Sequence, residues 1–192
     1  NGSGKSTLVD ALLTLLVPSQ KRNYNLASGT ERKRDRDEKT YIQGNYGKTT
    51  DDALGSKILK MRDPNEGHIS VLLAVFYSEE IKRYATIAQV MWFNNGSLDK
   101  FYLVGEKELT IRENFKHEGD IKQFKKSLKA QDGIKIFDSF KEYIHEFIKN
   151  VGLRSEKALD LFNQIVAIKS IGNLKEFIRE HMLEKHDMNE RI

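Results

Sequence analysis

The sequence predicts an α/β fold for this chain of 192 residues, and three observations support the prediction. A glycine-rich loop, NGSGKST, leads directly into an apolar helical run at 6–17. Three strand-like runs follow closely upon one another at 68–77, 85–93 and 99–104. In the second half of the chain, apolar residues recur at the spacing of amphipathic helices. A chain of this length has room for one domain of ordinary size.

Composition narrows the class of protein. Hydrophobic residues make up 39% and charged residues 31%, which suits a soluble globular domain. The chain has no cysteine, so disulfides and thiolate chemistry are excluded. No apolar run reaches the roughly 18 residues needed to cross a bilayer, and we expect a cytoplasmic protein with no membrane partner. The formal net charge of +4 permits a nucleic-acid partner without requiring one.

The opening loop fits the phosphate-binding pattern G-x-x-x-x-G-K-[ST] with Asn1 in its third position. The first glycine of the pattern would lie upstream of Asn1, so we interpret the chain as a piece of a longer protein. Glycines let the backbone curl around phosphates without Cβ clashes, and successive N–H groups then form an anion nest. The helix that follows adds the positive end of its dipole.

Each polar residue of the loop has an expected role in binding nucleotide. Lys5 is expected to reach the β- and γ-phosphates and to be the catalytic residue, while the Ser6 hydroxyl ligates Mg²⁺. Thr7 is expected to bond the α-phosphate. The candidate ligands are Asn1, Gly2, Ser3, Gly4, Lys5, Ser6 and Thr7. The alternative is a chance glycine-rich turn, which the buried helix after the loop disfavours.

The elements follow in order along the chain. The helix at 6–17 is apolar nearly all round, which predicts burial on most sides, and Pro18 ends it. Residues 19–60 are polar and lack a sustained period, which predicts a long loop. The three strand-like runs are joined by short turns, one of them containing Asn95-Gly96, so they predict an antiparallel meander.

The second half of the chain is predicted to be mainly helical. Ile121, Phe124 and Leu128 share one helical face, and 134–139 has the character of a short strand. Further helices are predicted at 140–150, 155–168 and 173–183. Ser155 is the expected N-cap of the second of these helices.

Two other groups of residues are candidates for function. Glu79 and Glu80 end an apolar strand, which resembles a Walker B motif, although a solvated hairpin turn explains them better. A basic stretch could contact DNA phosphates, but interleaved acids favour a salt-bridged surface. Its members are Lys21, Arg22, Arg32, Lys33, Arg34, Arg36 and Lys39, with Tyr24, Tyr41 and Tyr46 nearby as possible stacking partners for a base. The five histidines show no metal-ligand spacing.

Residues 1–47 go beyond a generic phosphate-binding loop. Their R-x-Y-N-x-A-S segment, arginine-rich stretch and Y-I-x-G-x-Y-G segment resemble the start of the SMC-like ATPases of bacterial Wadjet anti-plasmid systems, relatives of the condensin MukB. The segment LFNQIVAIKSIGNLKEFIREHMLE also resembles that family, whereas the middle of the chain matches in layout more than in letters.

The resemblance implies a fold and a function. It implies a P-loop NTPase, the N-terminal lobe of an ABC/SMC-type ATPase head, with a mixed sheet, an antiparallel meander and flanking helices. Residues 1–183 would form this lobe, and 184–192 would begin a coiled-coil arm. The implied cofactors are ATP and Mg²⁺. The implied partners are a second head in a homodimer, a kleisin, a small winged-helix subunit, a nuclease and double-stranded DNA.

The sequence also departs from the family. It has no LSGG-like signature and no convincing Walker B motif. Lys169 or Ser170 stands where the Q-loop glutamine is expected, and Gln164 is the nearest candidate for that cofactor-binding residue. The chain alone is therefore not expected to hydrolyse ATP efficiently. Two alternatives stay open, a P-loop kinase acting on a small molecule and a non-hydrolysing nucleotide-binding module.

Overall fold

The computed structural model describes residues 5–22, 37–51, 55–63, 65–117, 119–153 and 157–167. The helices are α1 (Lys5–Leu16), α2 (Glu38–Gln43), α3 (Ile111–Asn114), α4 (Ile121–Lys129), α5 (Phe140–Val151) and α6 (Lys157–Ala167). The strands are β1 (Asn45–Asp51), β2 (Gly55–Lys60), β3 (Ile69–Ser78), β4 (Arg83–Asn94), β5 (Ser97–Gly105) and β6 (Ile134–Phe137). The α/β class is confirmed.

A four-stranded antiparallel sheet in the order β3-β4-β5-β6 is the centre of the fold. The predicted meander is confirmed, with Leu73 opposite Ala88 in one pair of strands and Val90 opposite Phe101 in the next. Asn95 and Gly96 form the tight turn between β4 and β5, and both have positive φ. The predicted strand at 134–139 is also confirmed as β6.

Helices cover both faces of this sheet, and β4 is buried on both sides from Ala85 to Met91. On one face, α4 together with Leu109 and Phe115 encloses a hydrophobic cluster that includes Phe101, Phe124 and Leu128. On the other face, α1 and α5 pack on a cluster that includes Leu15, Tyr102, Tyr143 and Phe147. We call the first the α4 face and the second the α1 face.

The sequence prediction of α1 is correct in position and only partly correct in burial. Leu13 and Leu15 are buried against the sheet, as an apolar helix requires. Leu8 is 66% exposed, because the contacts of α1 with the sheet are made by its C-terminal half. The expectation of burial on nearly all sides is therefore wrong for the first turn among the described residues.

The prediction of an unbroken loop at 19–60 is wrong. It contains α2 and an antiparallel hairpin of β1 and β2, which form a separate two-stranded sheet. Asp37 and Thr40 form a reciprocal capping box at the start of α2, and Gly44 ends it in the left-handed conformation. The hydrophobic period gave no signal, because α2 has only six residues and the hairpin is polar.

The expected mixed sheet is not found in the described part of the chain, where every strand pair is antiparallel. The tight β3–β4 and β4–β5 turns cannot accommodate the crossover that parallel pairing needs. The helices predicted at 140–150 and 155–168 are confirmed as α5 and α6. Ser155, the helix at 173–183 and the arm at 184–192 lie outside the described residues.

Candidate nucleotide-binding site

The start of α1 is the part of the phosphate-binding loop that the structure describes. The described part of the helix starts at Lys5, the lysine of the motif. Thr7 is exposed on its first turn, where the side chain is accessible to a ligand. Asn1, Gly2, Ser3 and Gly4, together with the side chains of Lys5 and Ser6, lie outside the described residues. Their roles toward phosphate and Mg²⁺ stay predictions.

A tyrosine from α2 reaches the first turn of α1. The Tyr41 hydroxyl donates a hydrogen bond to the Thr7 carbonyl, with 3.2 Å between the oxygens. The two residues are 34 positions apart in sequence, so this contact fixes the relative positions of α1 and α2. The sequence marked Tyr41 only as a possible stacking partner.

At the C-terminal end of α1, two side chains donate hydrogen bonds to the last carbonyls of the helix. Pro18 cannot donate an N–H to the Thr14 carbonyl, and the Arg22 Nη2 atom does so at 2.8 Å. Arg22 also donates through Nε to the Val17 carbonyl. Tyr143 donates its hydroxyl to the Leu15 carbonyl at 3.0 Å. A guanidinium at this position also suits the negative end of the helix dipole.

Arg22 is part of a buried ionic network centred on Glu38, the first residue of α2. Arg22 Nη1 lies 2.8 Å from Glu38 Oε1, and its side chain is 1% exposed. Lys100 Nζ on β5 lies 2.5 Å from Glu38 Oε2. Gln89 Nε2 on β4 donates to Glu38 Oε1 at 2.9 Å. The carboxylate thus joins α2, the sheet and the end of α1, and we call these residues the Glu38 network.

The network sets the charge state of the groups around it. Burial alone would raise the pKa of Glu38, but the positive charges of Arg22 and Lys100 outweigh burial and lower it. Burial and, to a smaller extent, the Glu38 carboxylate raise the pKa of Tyr102 to about 12 against the opposing effect of Arg22. Burial also raises the pKa of Tyr143. Glu38 is therefore ionised and both tyrosines are neutral near pH 7.

The structure places the remaining candidate residues away from the first turn of α1. Gln164 is exposed on α6. The contacts of that helix run from Asp160 and Asn163 to Lys21, beyond the C-terminal end of α1. The structure does not bring Gln164 together with Thr7, and its role as Q-loop residue stays a prediction.

Glu79 and Glu80 occupy the exposed turn between β3 and β4, as the hairpin interpretation predicts. Both carboxylates are exposed there. A Walker B carboxylate needs to face the nucleotide, whereas Ser78 and Ile81 on either side of this pair line a cavity with Leu16 at the C-terminal end of α1. No group of three or more potential metal ligands occurs within the described ranges.

The basic stretch forms ion pairs and packing contacts where it is described. Lys21 pairs with Asp160, and Arg22 is buried in the Glu38 network. Lys39 donates to the Gly96 carbonyl and lies over the Phe93 ring. The interpretation as a solvated salt-bridged surface is therefore confirmed for Lys21 only, because Arg22 forms its ion pair in the interior and Lys39 contacts a carbonyl and a ring. Residues 32–36 lie outside the described part of the chain.

Sequence reasoning did not foresee the Glu38 network or the Tyr41 contact. Two signals were present in the sequence. Because Pro18 has no N–H, the Thr14 carbonyl lacks its helical hydrogen-bond donor. The pattern Asp37-x-x-Thr40 predicts the start of a short helix, on which Glu38 and Tyr41 lie on one side. Neither signal identifies the partners, which come from distant parts of the chain.

The comparisons with known proteins support the interpretation of the opening loop. Residues 1–31 match the family model described as the P-loop containing region of AAA domain. No curated protein matches the sequence. No described helix is both long and apolar enough to span a membrane. The match covers the loop, α1 and the residues just after it, and it indicates a P-loop nucleotide-binding region.

Proposed function

We propose that this chain is the ATP-binding part of an SMC-like ATPase head, which in the intact protein powers DNA loop extrusion and plasmid restriction in a bacterial defence complex. The observation that carries the proposal is the P-loop match at residues 1–31, placed at the start of a helix that packs on an antiparallel sheet. The resemblance of residues 1–47 to Wadjet ATPases supplies the finer identity.

The chemistry follows from the loop. With nucleotide bound, the ammonium of Lys5 would neutralise charge that develops on the γ-phosphate, and the Ser6 hydroxyl would help to hold Mg²⁺. Backbone N–H groups of the loop bind the remaining phosphate oxygens at the positive end of α1. The group that activates water comes from outside this chain, so hydrolysis requires the rest of the head and a second head.

The antiparallel arrangement of the described strands supports this proposal over a P-loop kinase. A kinase of that class alternates strands with helices after the P-loop, which produces parallel pairing. Here β3, β4 and β5 follow one another with only tight turns between them. Phosphoryl transfer from ATP to a small-molecule acceptor by the intact protein would contradict the proposal.

The test is the steady-state ATPase rate of the full-length protein with the products of neighbouring genes, measured with and without double-stranded DNA. We expect DNA to stimulate turnover and Lys5→Ala to abolish it. Lys21→Ala is the matched control, because Lys21 is exposed and pairs with Asp160 at the opposite end of α1. Turnover that responds neither to DNA nor to the neighbouring proteins would overturn the SMC-like assignment.

A further inference from the structure

We propose that α2 is a clamp that positions the P-loop helix for nucleotide, with Tyr41 as its positioning residue and Glu38 as its anchor. The inference rests on the proposed function, because it concerns affinity for the nucleotide bound at the loop. The helix α2 lies outside the phosphate-binding motif. It also lies outside the match to the P-loop family model, which ends at residue 31.

Two side chains of α2 connect this short helix to opposite ends of α1. Glu38 and Tyr41 are separated by three positions, so their side chains leave the same side of the helix. Tyr41 bonds the Thr7 carbonyl in the first turn of α1, and Glu38 bonds Arg22, which holds the last turn of α1. Seven residues separate Thr7 from Thr14, about 10 Å along a helix axis. A six-residue helix therefore connects both ends of α1.

The helix α2 is itself fixed to the central sheet. Glu38 receives hydrogen bonds from Lys100 and Gln89 on the two central strands, and Lys39 bonds the carbonyl of Gly96 in the β4–β5 turn. The buried carboxylate has three partners, so moving it would leave charged groups unpaired in a low-dielectric interior. The Tyr41 hydroxyl therefore reaches Thr7 from a support that resists displacement.

Thr7 connects α2 to the expected nucleotide site. Thr7 is the expected α-phosphate ligand, and its backbone belongs to the turn whose N–H groups face the phosphates. A hydrogen bond to the Thr7 carbonyl restrains that turn before nucleotide arrives. Preorganised donors lose less freedom on binding, so the restraint improves affinity without any contact between Tyr41 and the ligand.

The experiment compares Tyr41→Phe with the wild-type full-length protein, using ATP·Mg²⁺ as the probe. A neutral hydrogen bond is worth about 0.5–1.5 kcal/mol, so we expect the Kd and the KM for ATP to rise by about 2- to 10-fold. The kcat should change by less than about twofold, because the hydroxyl acts on binding. Tyr77→Phe is the matched control, since Tyr77 is half-exposed and its ring packs on Tyr84 near the end of the β3–β4 hairpin.

An unchanged Kd in Tyr41→Phe, with normal binding by the wild type, would overturn the clamp and leave the proposed function intact. Absence of ATP binding by the wild type would instead overturn the proposed function and the clamp with it. A double-mutant cycle tests the anchor. Glu38→Gln should weaken ATP binding in the presence of Tyr41 and have little further effect when residue 41 is phenylalanine. Fully additive effects on affinity would contradict an anchor that acts through Tyr41.

Discussion

The two faces of the central sheet are closed by different kinds of contact. The α4 face is an apolar cluster in which Phe101, Phe124 and Leu128 fill the space between the sheet and α4. The α1 face combines a similar cluster with the buried Glu38 network and with the tyrosine that caps α1. The first arrangement depends on volume, whereas the second depends on charge and direction.

The difference teaches where stability and positioning reside in this chain. Apolar contacts stabilise in proportion to buried area and have no directional requirement. Ionic and hydrogen-bonded contacts fix relative positions but lose most of their benefit to desolvation. The phosphate-binding helix lies on the face with the directional contacts. We conclude that the apolar clusters of both faces provide stability and that the directional contacts of the α1 face also position the helix that follows the phosphate-binding loop.

The largest effect should come from emptying the α4 face. Phe101 is fully buried, and Phe101→Ala should lower the free energy of unfolding by about 3–5 kcal/mol through lost burial and a new cavity. The ATP affinity of the fraction that stays folded should not change. Urea denaturation and equilibrium binding measure the two quantities. Val75→Ala is the control, since Val75 on the same sheet is 39% exposed and should cost much less.

The second effect comes from the Glu38 network. Glu38→Gln leaves Arg22 and Lys100 without a counter-charge, and we expect a loss of about 2–3 kcal/mol in the free energy of unfolding. Unlike Phe101→Ala, this variant should also weaken ATP binding. Glu142→Gln on the exposed surface of α5 is the matched control and should be nearly neutral. Equal affinities for ATP in Phe101→Ala and Glu38→Gln would contradict the distinction between the two faces.

The same carboxylate gives a dependence on acid. The folded-state pKa of Glu38 lies below the ordinary value of 4.5, so its contribution to stability is present above that pH. The contribution is lost as pH falls through the lower folded-state value. Wild-type stability should therefore fall more steeply below about pH 4.5 than that of Glu38→Gln. Parallel pH profiles for the two proteins would contradict this assignment.

A third effect should appear in alkali on the α1 face. The pKa of Tyr102 is raised from 10.0 to about 12, so the folded state holds the phenolic proton more tightly than the unfolded state. Its contribution of about 2 kcal/mol is present below pH 10 and is lost as pH rises toward 12. Tyr102→Phe keeps the ring and should lose less stability over that range. Urea denaturation at pH 9 and pH 11.5 measures the difference.

The smallest effect should come from the β3–β4 turn, which belongs to neither face. Glu79→Gln and Glu80→Gln should each change stability by less than about 0.5 kcal/mol, because both side chains are exposed. ATP turnover by the full-length protein should also be unchanged. A loss of turnover without a loss of ATP binding would restore the Walker B interpretation of these two residues.

The comparison also explains what could be predicted from the sequence. The meander, β6 and α5 follow from periods of two and of three to four residues, because each of these elements buries one or both apolar sides. Ile121, Phe124 and Leu128 are predicted to share one face of a helix for the same reason, and Phe124 and Leu128 are buried on the α4 face. The pattern of apolar residues therefore predicts the strands of the sheet and the main helix of the α4 face.

The polar contacts of Glu38 and Tyr41 on the α1 face could not be predicted in this way, because each depends on a single pair of atoms. Nothing in the local sequence indicates that Glu38 would meet Lys100, 62 positions away, or that Tyr41 would meet Thr7. The β1–β2 hairpin was missed because most of its residues are polar or glycine and its apolar residues do not alternate along the strands. Conversely, the motif predicts roles for Lys5 and Ser6 whose side chains lie outside the described residues.

The most direct test of the central claim is the affinity of the full-length protein for ATP·Mg²⁺, measured by titration calorimetry for the wild type, Lys5→Ala and Lys21→Ala. A charge-assisted contact to phosphate is worth about 1.5–3 kcal/mol, so the account predicts that Lys5→Ala weakens binding by about 10- to 100-fold. Lys21→Ala should bind as the wild type does. Equal affinities in all three proteins would contradict a nucleotide site at the start of α1.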